Sequence, residues 1–109
     1  MEFRPPSYFT LAALIDGPLH GYAIIKRAGE LSGGSVRLST GTLYAALERA
    51  ISEGLVVAGE PYLEHGRTRR DYALMPAGRQ ALQQEAAALS RAAEAVTVRL
   101  RPAAGAVSA

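Results

Sequence analysis

The sequence predicts a mainly α-helical domain that carries one small β-hairpin and ends in a long helix. Three observations lead to this prediction. Apolar residues recur at the three- and four-residue spacing of amphipathic helices in separate segments before residue 55. Two short segments, 55–58 and 70–74, resemble strands and enclose a stretch rich in turn residues. From Pro76 to about Leu100 the helical spacing resumes without interruption.

The composition is that of one folded domain. The chain has 109 residues, of which 49% are hydrophobic and 20% are charged, and it has no cysteine for disulfides or thiolate metal sites. No apolar run approaches the roughly 18 residues of a membrane helix, and the first residues lack signal-peptide order, so we expect a cytoplasmic protein without membrane contact. The net charge of +2 does not decide whether the partner is a nucleic acid, because phosphate binding depends on where the cations lie.

The first two predicted helices are short. The first follows a Pro-Pro pair, uses Ser7 as its N-cap and runs to Ile15. Residues 16–18, Asp-Gly-Pro, end it. The second helix begins around 19–22 and ends before the turn-forming segment 32–35.

The third predicted helix has a clear start, a clear end and two different faces. The Ser39 hydroxyl is suited to cap its first turn, and Gly54 is suited to end it in a left-handed conformation. One face carries the apolar stripe Leu43, Ala46, Leu47, Ala50, Ile51 and Leu55. The opposite face carries Thr42, Ala45, Glu48, Arg49 and Ser52. Small side chains and one arginine on an exposed face are typical of a helix that enters a DNA groove.

The two predicted strands form a hairpin with a long tip, residues 59–69. Alternation directs Tyr72 and Leu74 toward the core and Arg69 and Asp71 away from it. Helix, turn, helix and then an arginine-bearing hairpin is the order of a winged helix-turn-helix. The predicted organisation is therefore a DNA-binding domain over 7–75, a C-terminal dimerisation helix over 76–101 and a disordered tail over 102–109.

The last predicted helix starts with Pro76 in its first position and carries an apolar seam. Its apolar positions alternate steps of four and three: Leu82, Ala86, Leu89, Ala93, Val96 and Leu100. At about 1.5 Å per residue, a helix of roughly 24 residues is near 36 Å long, more than a small domain covers. We therefore expect the seam to form a homodimer interface; a helix folded back on its own domain is the alternative.

Three motifs resemble the PadR family of bacterial transcriptional regulators. They are Gly-Pro-Leu-His-Gly-Tyr at 17–22, Ser-Thr-Gly-Thr-Leu-Tyr at 39–44, and the run from Gly66 to Arg79 through Arg-Thr-Arg-Arg-Asp-Tyr. The resemblance covers roughly residues 7–100 and implies a homodimer of winged helices, of the subgroup with a single C-terminal helix. It also implies a repressor that binds an inverted-repeat operator and is released by a small effector.

Four positions depart from the family pattern. Thr40 and Ala45 stand where prolines are usual, which leaves the start of the third helix less restrained. Ala50 replaces a usual leucine, and Met75 replaces a usual threonine cap, so the last helix must satisfy its first N–H groups in another way.

The expected DNA-binding residues come from three elements. They are Ser39, Thr40, Thr42, Tyr44, Ala45 and Arg49 of the third helix, Arg67, Thr68, Arg69 and Arg70 of the wing, and His20, Gly21 and Lys26 of the second helix. Tyr44 is suited equally to a phosphate or to the core, and alternation favours Arg70 turning inward beside Tyr72. Lys26 and Arg27 are equally suited to a solvated face, and Glu48 on the presumed DNA face has no explanation.

Other functions have weaker support. Tyr8, Phe9 and Ala12 are candidates for a pocket that takes a small aromatic or apolar effector, although the core is their plainer position. The two histidines have no carboxylate at metal-ligand spacing and no nucleophile motif accompanies them, so we expect no metal, no cofactor and no enzyme. A winged-helix adaptor that binds proteins rather than specific DNA, or a small ligand-binding protein without DNA affinity, remain the alternatives.

Overall fold

The computed structural model describes residues 3–102 of the chain, so the end of the predicted tail, from 103 on, lies outside the described residues. Within the described part there are four helices and five short strands. The helices are α1 (Pro5–Ala12), α2 (Gly21–Leu31), α3 (Thr40–Ser52) and α4 (Pro76–Leu100). The strands are β1 (Leu19–His20), β2 (Val56–Ala58), β3 (Tyr62–Glu64), β4 (Arg67–Arg69) and β5 (Asp71–Leu74). This is the mainly α fold with a small sheet and a long last helix that the sequence predicts.

Helix α1 differs from its prediction at both ends. It begins at Pro5 rather than after Ser7, because proline lacks the N–H that a first helical turn leaves unsatisfied. The predicted cap at Ser7 is therefore wrong: Arg4 is the N-cap, and no side chain caps the helix. The helix ends at Ala12, and the next residues tighten into i→i+3 turns, with Ile15 N donating to Ala12 O at 3.2 Å.

Helix α2 begins later than the earliest predicted start because Leu19 and His20 form β1. This two-residue strand pairs antiparallel with β5, and Leu19 lies opposite Tyr72. His20 then caps α2, since its Nδ1 accepts from Ala23 N at 3.3 Å. A strand of two residues is too short for any alternation to indicate it in the sequence.

Helix α3 begins and ends through the two residues predicted from its sequence. Ser39 Oγ accepts from Thr42 N at 3.1 Å, which confirms the N-cap. Gly54 has φ of +75°, and Leu55 N donates to Ala50 O at 2.8 Å, the pattern of a Schellman end. The missing prolines therefore leave the start of α3 defined, because the Ser39 side chain restrains it instead.

The small sheet has the strand order β1-β5-β2, and β2 pairs with β5 so that Val56 lies opposite Leu74. The predicted long hairpin tip over 59–69 contains two strands that the sequence did not predict, because β3 and β4 form a second two-stranded hairpin there. His65 and Gly66 make its turn with φ of 51° and 75°. Two consecutive positive φ angles match the tight turns that suit the twist of paired strands.

The core lies between α1, α2, α3, the three-stranded sheet and the start of α4. Its most deeply buried side chains include Leu14, Ile24, Leu43 and Leu47. Leu82 of α4 also enters this core, so this residue, expected at a dimer interface, serves the fold of its own chain. Beyond it α4 is exposed on all sides from residue 86 to residue 100. Within residues 3–102 none of the helices combines the length and apolar character that a membrane crossing requires.

Helix α4 starts against the strand β2 without a side-chain cap. Met75 N donates to Leu55 O at 2.9 Å, and Pro76 in the first turn has no N–H to satisfy. Gly78 lies so close to this strand end that a Cβ there would overlap the carbonyl oxygen of Leu55 and lie 2.8 Å from Leu74 Cδ1. The absence of a side chain at 78 is what lets α4 cross the sheet at this distance.

We therefore expect Gly78→Ala to destabilise the chain by about 1–3 kcal/mol, because rigid backbone must shift to admit the methyl group. The matched control is Gly29→Ala in α2, where the nearest atom to an added Cβ is Val36 O at 3.9 Å. That change should be neutral or stabilise by up to about 1 kcal/mol through helix propensity. Urea unfolding followed by circular dichroism measures both. Equal unfolding free energies for the two variants would contradict the packing described for Gly78.

Candidate nucleic-acid interface

The exposed face of α3 is formed by small side chains with longer ones at its edges. Gly41, Ala45 and Ser52 are exposed, and Glu48 lies among them. Arg49 is also exposed, at one edge of this face. A helix with this surface can bring its backbone close to a groove floor while a few longer groups reach base edges.

Ser39 and Thr42 form a local hydrogen-bonded pair at the start of α3. Ser39 Oγ accepts from Thr42 N at 3.1 Å and donates to Thr42 Oγ1 at 3.0 Å. The Ser39 hydroxyl therefore both donates and accepts a hydrogen bond within the helix. The Thr42 hydroxyl keeps its own proton, which it can donate outward. Of these two expected DNA contacts, Thr42 is the one with a free donor. Thr40, also expected to contact DNA, is exposed in the first turn.

Tyr44 was predicted either to contact a phosphate or to pack in the core, and its position has features of both. Its ring packs edge-on against Tyr72, with centroids 6.4 Å apart and an interplanar angle of 62°. Its hydroxyl lies over Gly21, where a Cβ would be only 2.5 Å from that oxygen. The side chain nevertheless remains 45% exposed. Tyr44 thus packs α3 against the start of α2 while almost half of the residue stays exposed.

Arg69 turns inward, in contrast to the prediction that it points away from the core. Its Nε lies 3.2 Å from Glu64 Oε1 as a close ion pair without a linear hydrogen bond, and its side chain is 17% exposed. Its NH1 lies 3.3 Å from His20 Nδ1, and the guanidinium stands 5.8 Å from the centroid of the Tyr22 ring. Because His20 Nδ1 also accepts from Ala23 N, this ring carries its proton on Nε2.

Arg70 is exposed, so the prediction that it turns inward is also wrong. The reason is that Arg70 separates two strands: β4 ends at Arg69 and β5 begins at Asp71. Side-chain parity holds only within a continuous strand, and the break reverses it. The sequence shows no feature that locates this break.

A second contact holds the β3–β4 hairpin to the sheet. The Tyr62 hydroxyl donates to Asp71 Oδ1 at 2.6 Å. This hydrogen bond to the Asp71 carboxylate raises the pKa of Tyr62 to about 12, with smaller contributions from desolvation and from the nearby acidic charges. Together with the Arg69 contacts, it braces the wing against the start of α2 and against β5.

The start of α2, Tyr44 and the wing enclose a cleft, which we call the wing cleft. It is lined by His20, Gly21, Tyr22, Tyr44, Pro61, Arg67, Thr68, Arg69 and Arg70. Arg67 and Arg70 are exposed, and no carboxylate of the described residues lies within ion-pair distance of either. The structure therefore brings His20 and Gly21 together with the four sequence-predicted residues of the wing, and Arg69 is a brace among them.

A second cleft lies on the other side of α3, between that helix and the start of α1. We call it the α1 cleft; it is lined by Arg4, Pro6, Ser7, Thr42, Ala45, Ala46 and Arg49. It unites three predicted DNA-binding residues of α3 with one cation that the sequence did not indicate, Arg4. A single arginine before a Pro-Pro pair carries no pattern, so only the packing of α1 beside α3 reveals it.

The two cations of α2 differ in their surroundings. Arg27 is paired with Asp16 at 3.3 Å and with Glu30 at 3.6 Å, so its charge is neutralised locally. Lys26 is exposed and has no such partner among residues 3–102, but it lines neither cleft.

An apolar groove between α1 and α4 contains Tyr8 and Ala12, two of the three residues expected in an effector pocket. It is lined by Tyr8, Ala12, Ile15, Arg79, Leu82, Gln83 and Ala86. Arg79 closes one side of it by donating from NH2 to Ile15 O at 3.0 Å. Phe9 is absent from the lining and packs against the core instead, with its ring edge-on to Tyr8 at 5.1 Å. In the part of the chain that the structure describes, no group of three or more acidic and histidine side chains is arranged to hold a metal ion.

Comparison with known proteins assigns the chain to a family. Residues 10–84 match the model of the transcriptional regulator PadR-like family. The chain belongs to this family. Because the family consists of transcriptional regulators, the PadR-like chain is a regulator and not an enzyme.

Individual relatives agree with this assignment. The PadR-like chain is 40% identical over 81 residues to the transcriptional regulator Rv3488 of Mycobacterium tuberculosis, covering 74% of this chain and 72% of that one. It is 45% identical over 91 residues to a 37.1 kDa protein of transposon TN4556 from Streptomyces fradiae, covering 84% of this chain. The match spans only 25% of the length of that transposon protein.

Solved structures share the fold. A PadR family regulator from Clostridium difficile superposes with a TM-score of 0.74 at 21% identity, covering 90% of this chain and 100% of that one. The structure of Bacillus subtilis PadR in complex with operator DNA superposes with a TM-score of 0.64 at 24% identity, covering 74% of this chain and 47% of that one.

Proposed function

We propose that this PadR-like regulator binds an inverted-repeat operator in duplex DNA as a homodimer and represses transcription until a small effector releases it. The observation that supports DNA binding most strongly is the exposed small-residue face of α3 between two arginine-bearing clefts. The similar fold of Bacillus subtilis PadR, which was solved with operator DNA, supports the same mode of binding. The repressor role rests on family resemblance.

In this proposal α3 enters the major groove and reads base edges. Gly41 and Ala45 allow the helix backbone to approach, and the Thr42 hydroxyl donates to an acceptor on the groove floor. The Arg49 guanidinium is suited to the O6 and N7 acceptors of guanine. Glu48, on the same exposed face, is suited to accept from the N4 amino group of cytosine, which gives this otherwise unexplained carboxylate a partner.

The wing cleft then holds one strand of the DNA backbone. Arg67 and Arg70 supply charge for the phosphates, and Gly21 and Tyr22 at the start of α2 line the same cleft. Arg69 acts as a positioning residue, because its contacts with Glu64 and His20 hold the wing at a fixed distance from α2.

We expect Arg49→Ala to weaken operator binding by about 1–3 kcal/mol while changing affinity for random duplex much less, because a base contact specifies sequence. Thr42→Ala should act in the same direction with a smaller effect, since it removes one donor. Arg91→Ala is the matched control, because it removes an equal charge from the exposed far side of α4. Gel-shift titrations on the DNA upstream of the regulator's own gene and on random duplex measure both affinities.

If the unmodified protein shows no preference for any such duplex over random DNA, sequence-specific regulation is wrong. The adaptor alternative would then be favoured, particularly if a double substitution of Arg67 and Arg69 leaves binding of a protein partner intact.

The proposed homodimer rests on the exposed part of α4. Leu89 and Val96 are 48% and 56% exposed, and Leu100 is 77% exposed, although all three share one side of the helix with Ala86 and Ala93. Such an apolar stripe on a 25-residue helix is a surface that a second copy of α4 can cover. A two-fold axis through this contact would present two α3 helices to successive major grooves, about 34 Å apart.

We expect Leu89→Glu combined with Val96→Glu to yield a monomer, because each dimer would bury four added carboxylates in an apolar interface. Operator affinity should fall when the dimer is lost, since a monomer binds one half-site and gains only part of the binding energy. The matched control is Ala88→Glu combined with Ala95→Glu, which adds the same charges at exposed positions about 100° round the helix from Leu89 and Val96. Light scattering coupled to size exclusion measures the mass. A dimer that survives the Leu89→Glu and Val96→Glu substitutions would place the interface elsewhere.

The proposed effector site is the apolar groove between α1 and α4. A small aromatic or apolar molecule fits its lining of Tyr8, Ala12 and Leu82. Helix α1 packs against α3 and against α4, so a ligand in this groove can change how the two α3 helices of a dimer are spaced.

We expect some member of a panel of small aromatic compounds to raise the melting temperature and release the operator. Ala12→Trp should abolish both effects by filling the groove, while operator binding without ligand persists. Ala87→Trp, on the exposed surface of α4, serves as the control. A compound that still releases the operator from the Ala12→Trp protein binds at another site.

A further inference from the structure

We propose that the α1 cleft is a phosphate-binding site for the DNA backbone, with Arg4 as its main cation, and that it holds the strand opposite the one at the wing cleft. This inference rests on the proposed function, because it concerns how the same α3 is held in the major groove. It adds to that function a contact from the N-terminal segment, which neither the motifs nor the recognition helix indicate.

The α1 cleft lies where the second DNA backbone would pass. A helix lying in the major groove, which is about 12 Å wide, has a phosphate backbone on each of its two sides. The wing cleft serves only the side of α3 that carries Tyr44. Thr42 and Arg49 lie seven residues, or about two turns, apart on the other side, and they line the α1 cleft. A domain held to the DNA at one side of α3 only would be free to roll about the axis of this helix, so the second backbone needs a partner.

The α1 cleft carries positive charge that no acidic side chain of the described residues neutralises. Arg4 and Arg49 are both exposed, and no carboxylate of residues 3–102 lies within ion-pair distance of either guanidinium. Arg27 and Arg69, in contrast, are neutralised by close acidic partners. No acidic residue lines the cleft, and two unneutralised guanidinium groups on opposite walls form a surface that attracts an anion.

The backbone fixes the position of Arg4. Arg4 is the N-cap of α1, and its carbonyl accepts from Tyr8 N at 2.9 Å. Pro5 and Pro6 follow directly and restrict the backbone φ angles. Since α1 packs against α3 through the core, the base of the Arg4 side chain is held beside Thr42 and Arg49. Less backbone entropy is therefore lost when the guanidinium binds a phosphate.

The ligand that fits this cleft is a phosphate of duplex DNA rather than a base. The Arg4 side chain starts from α1, outside the face of α3 that approaches the bases, so its contact carries no sequence information. A backbone contact contributes to binding of every duplex and steepens the salt dependence, whereas a base contact distinguishes sequences. This difference separates the role of Arg4 from the roles of Thr42 and Arg49.

We expect Arg4→Gln to weaken binding of operator and random duplex by the same factor, about tenfold for each subunit bound, the value of one charge-assisted hydrogen bond. The slope of log affinity against log salt should fall by about 1 for each subunit bound. Arg4→Lys should keep the slope, because an ammonium group binds phosphate as a point charge. Arg91→Gln is the control of equal charge on α4. Melting curves of all three variants should match the unmodified protein, since both arginines are exposed.

Neutral methylphosphonate substitutions, introduced one at a time along both operator strands, locate the phosphate. For the unmodified protein we expect sensitive positions on both sides of the major groove that α3 enters. For Arg4→Gln one of these positions should become insensitive, and it should lie on the strand away from the wing. The Arg91→Gln protein should keep all of them.

The outcomes separate this inference from the proposed function. If the unmodified protein binds its operator, but Arg4→Gln and Arg91→Gln have equal affinities and salt slopes, the phosphate site is wrong and the regulator remains. If Arg4→Gln weakens only the operator, Arg4 contacts a base, and the backbone assignment is again wrong. If the unmodified protein binds no duplex, the proposed function itself fails, and the phosphate site with it.

Discussion

Leu43 and Leu47 hold α3 against the core with almost no solvent exposure, and this burial decides which side of the helix is free. Each side chain contributes roughly 1.5–3 kcal/mol by leaving water, far more than any single surface contact of α3. Rotation of the helix would expose both leucines, so the face with Gly41, Ala45 and Arg49 must point outward. The clefts on both sides of α3 follow from this constraint, because α1 and α2 pack against the flanks that remain.

The arginines of the chain fall into different roles according to their partners, although their side chains are identical. Arg27 is bound in surface ion pairs, and Arg69 is enclosed by Glu64, His20 and Tyr22. Arg67 and Arg70 have no acidic partner in the described part of the chain and lie at the cleft beside the wing. An enclosed arginine contributes rigidity, while an unneutralised one contributes attraction for phosphate. The wing therefore combines one brace with two groups that are free to bind.

Local chemistry explains what the sequence predicted correctly. The Ser39 cap, the Gly54 end of α3 and Pro76 at the start of α4 each depend on one residue type in one backbone conformation, so they are visible without any tertiary information. The motifs that resemble PadR proteins then supported the prediction of how these elements are arranged in the fold. Strands β1, β3 and β4 were not predicted, because they are too short to show alternation.

The positions predicted wrongly are those where tertiary packing decides. Arg69 and Arg70 exchanged their expected directions because a break between β4 and β5 shifts the parity, and nothing local marks that break. The sequence does not indicate Arg4 as a site residue. Its place in the site depends on the packing of α1 beside α3, and these two helices are far apart in the chain. Side-chain direction and long-range proximity are thus the two properties of this candidate site that the sequence left undetermined.

Helix α4 divides into a part that belongs to the domain and a part that has no partner in the chain. Gly78 and Leu82 pack against the sheet and core, and Glu85 is buried with Oε2 accepting from Phe3 N at 3.3 Å. The segment just before Arg4 is thereby tied to the same helix that carries the exposed apolar stripe. A movement of α4 on dimer formation or ligand binding would be transmitted through Glu85 to Phe3, and so to the start of α1. In a dimer, the backbone contact at Arg4 and the spacing of the two α3 helices would then respond to the same helix.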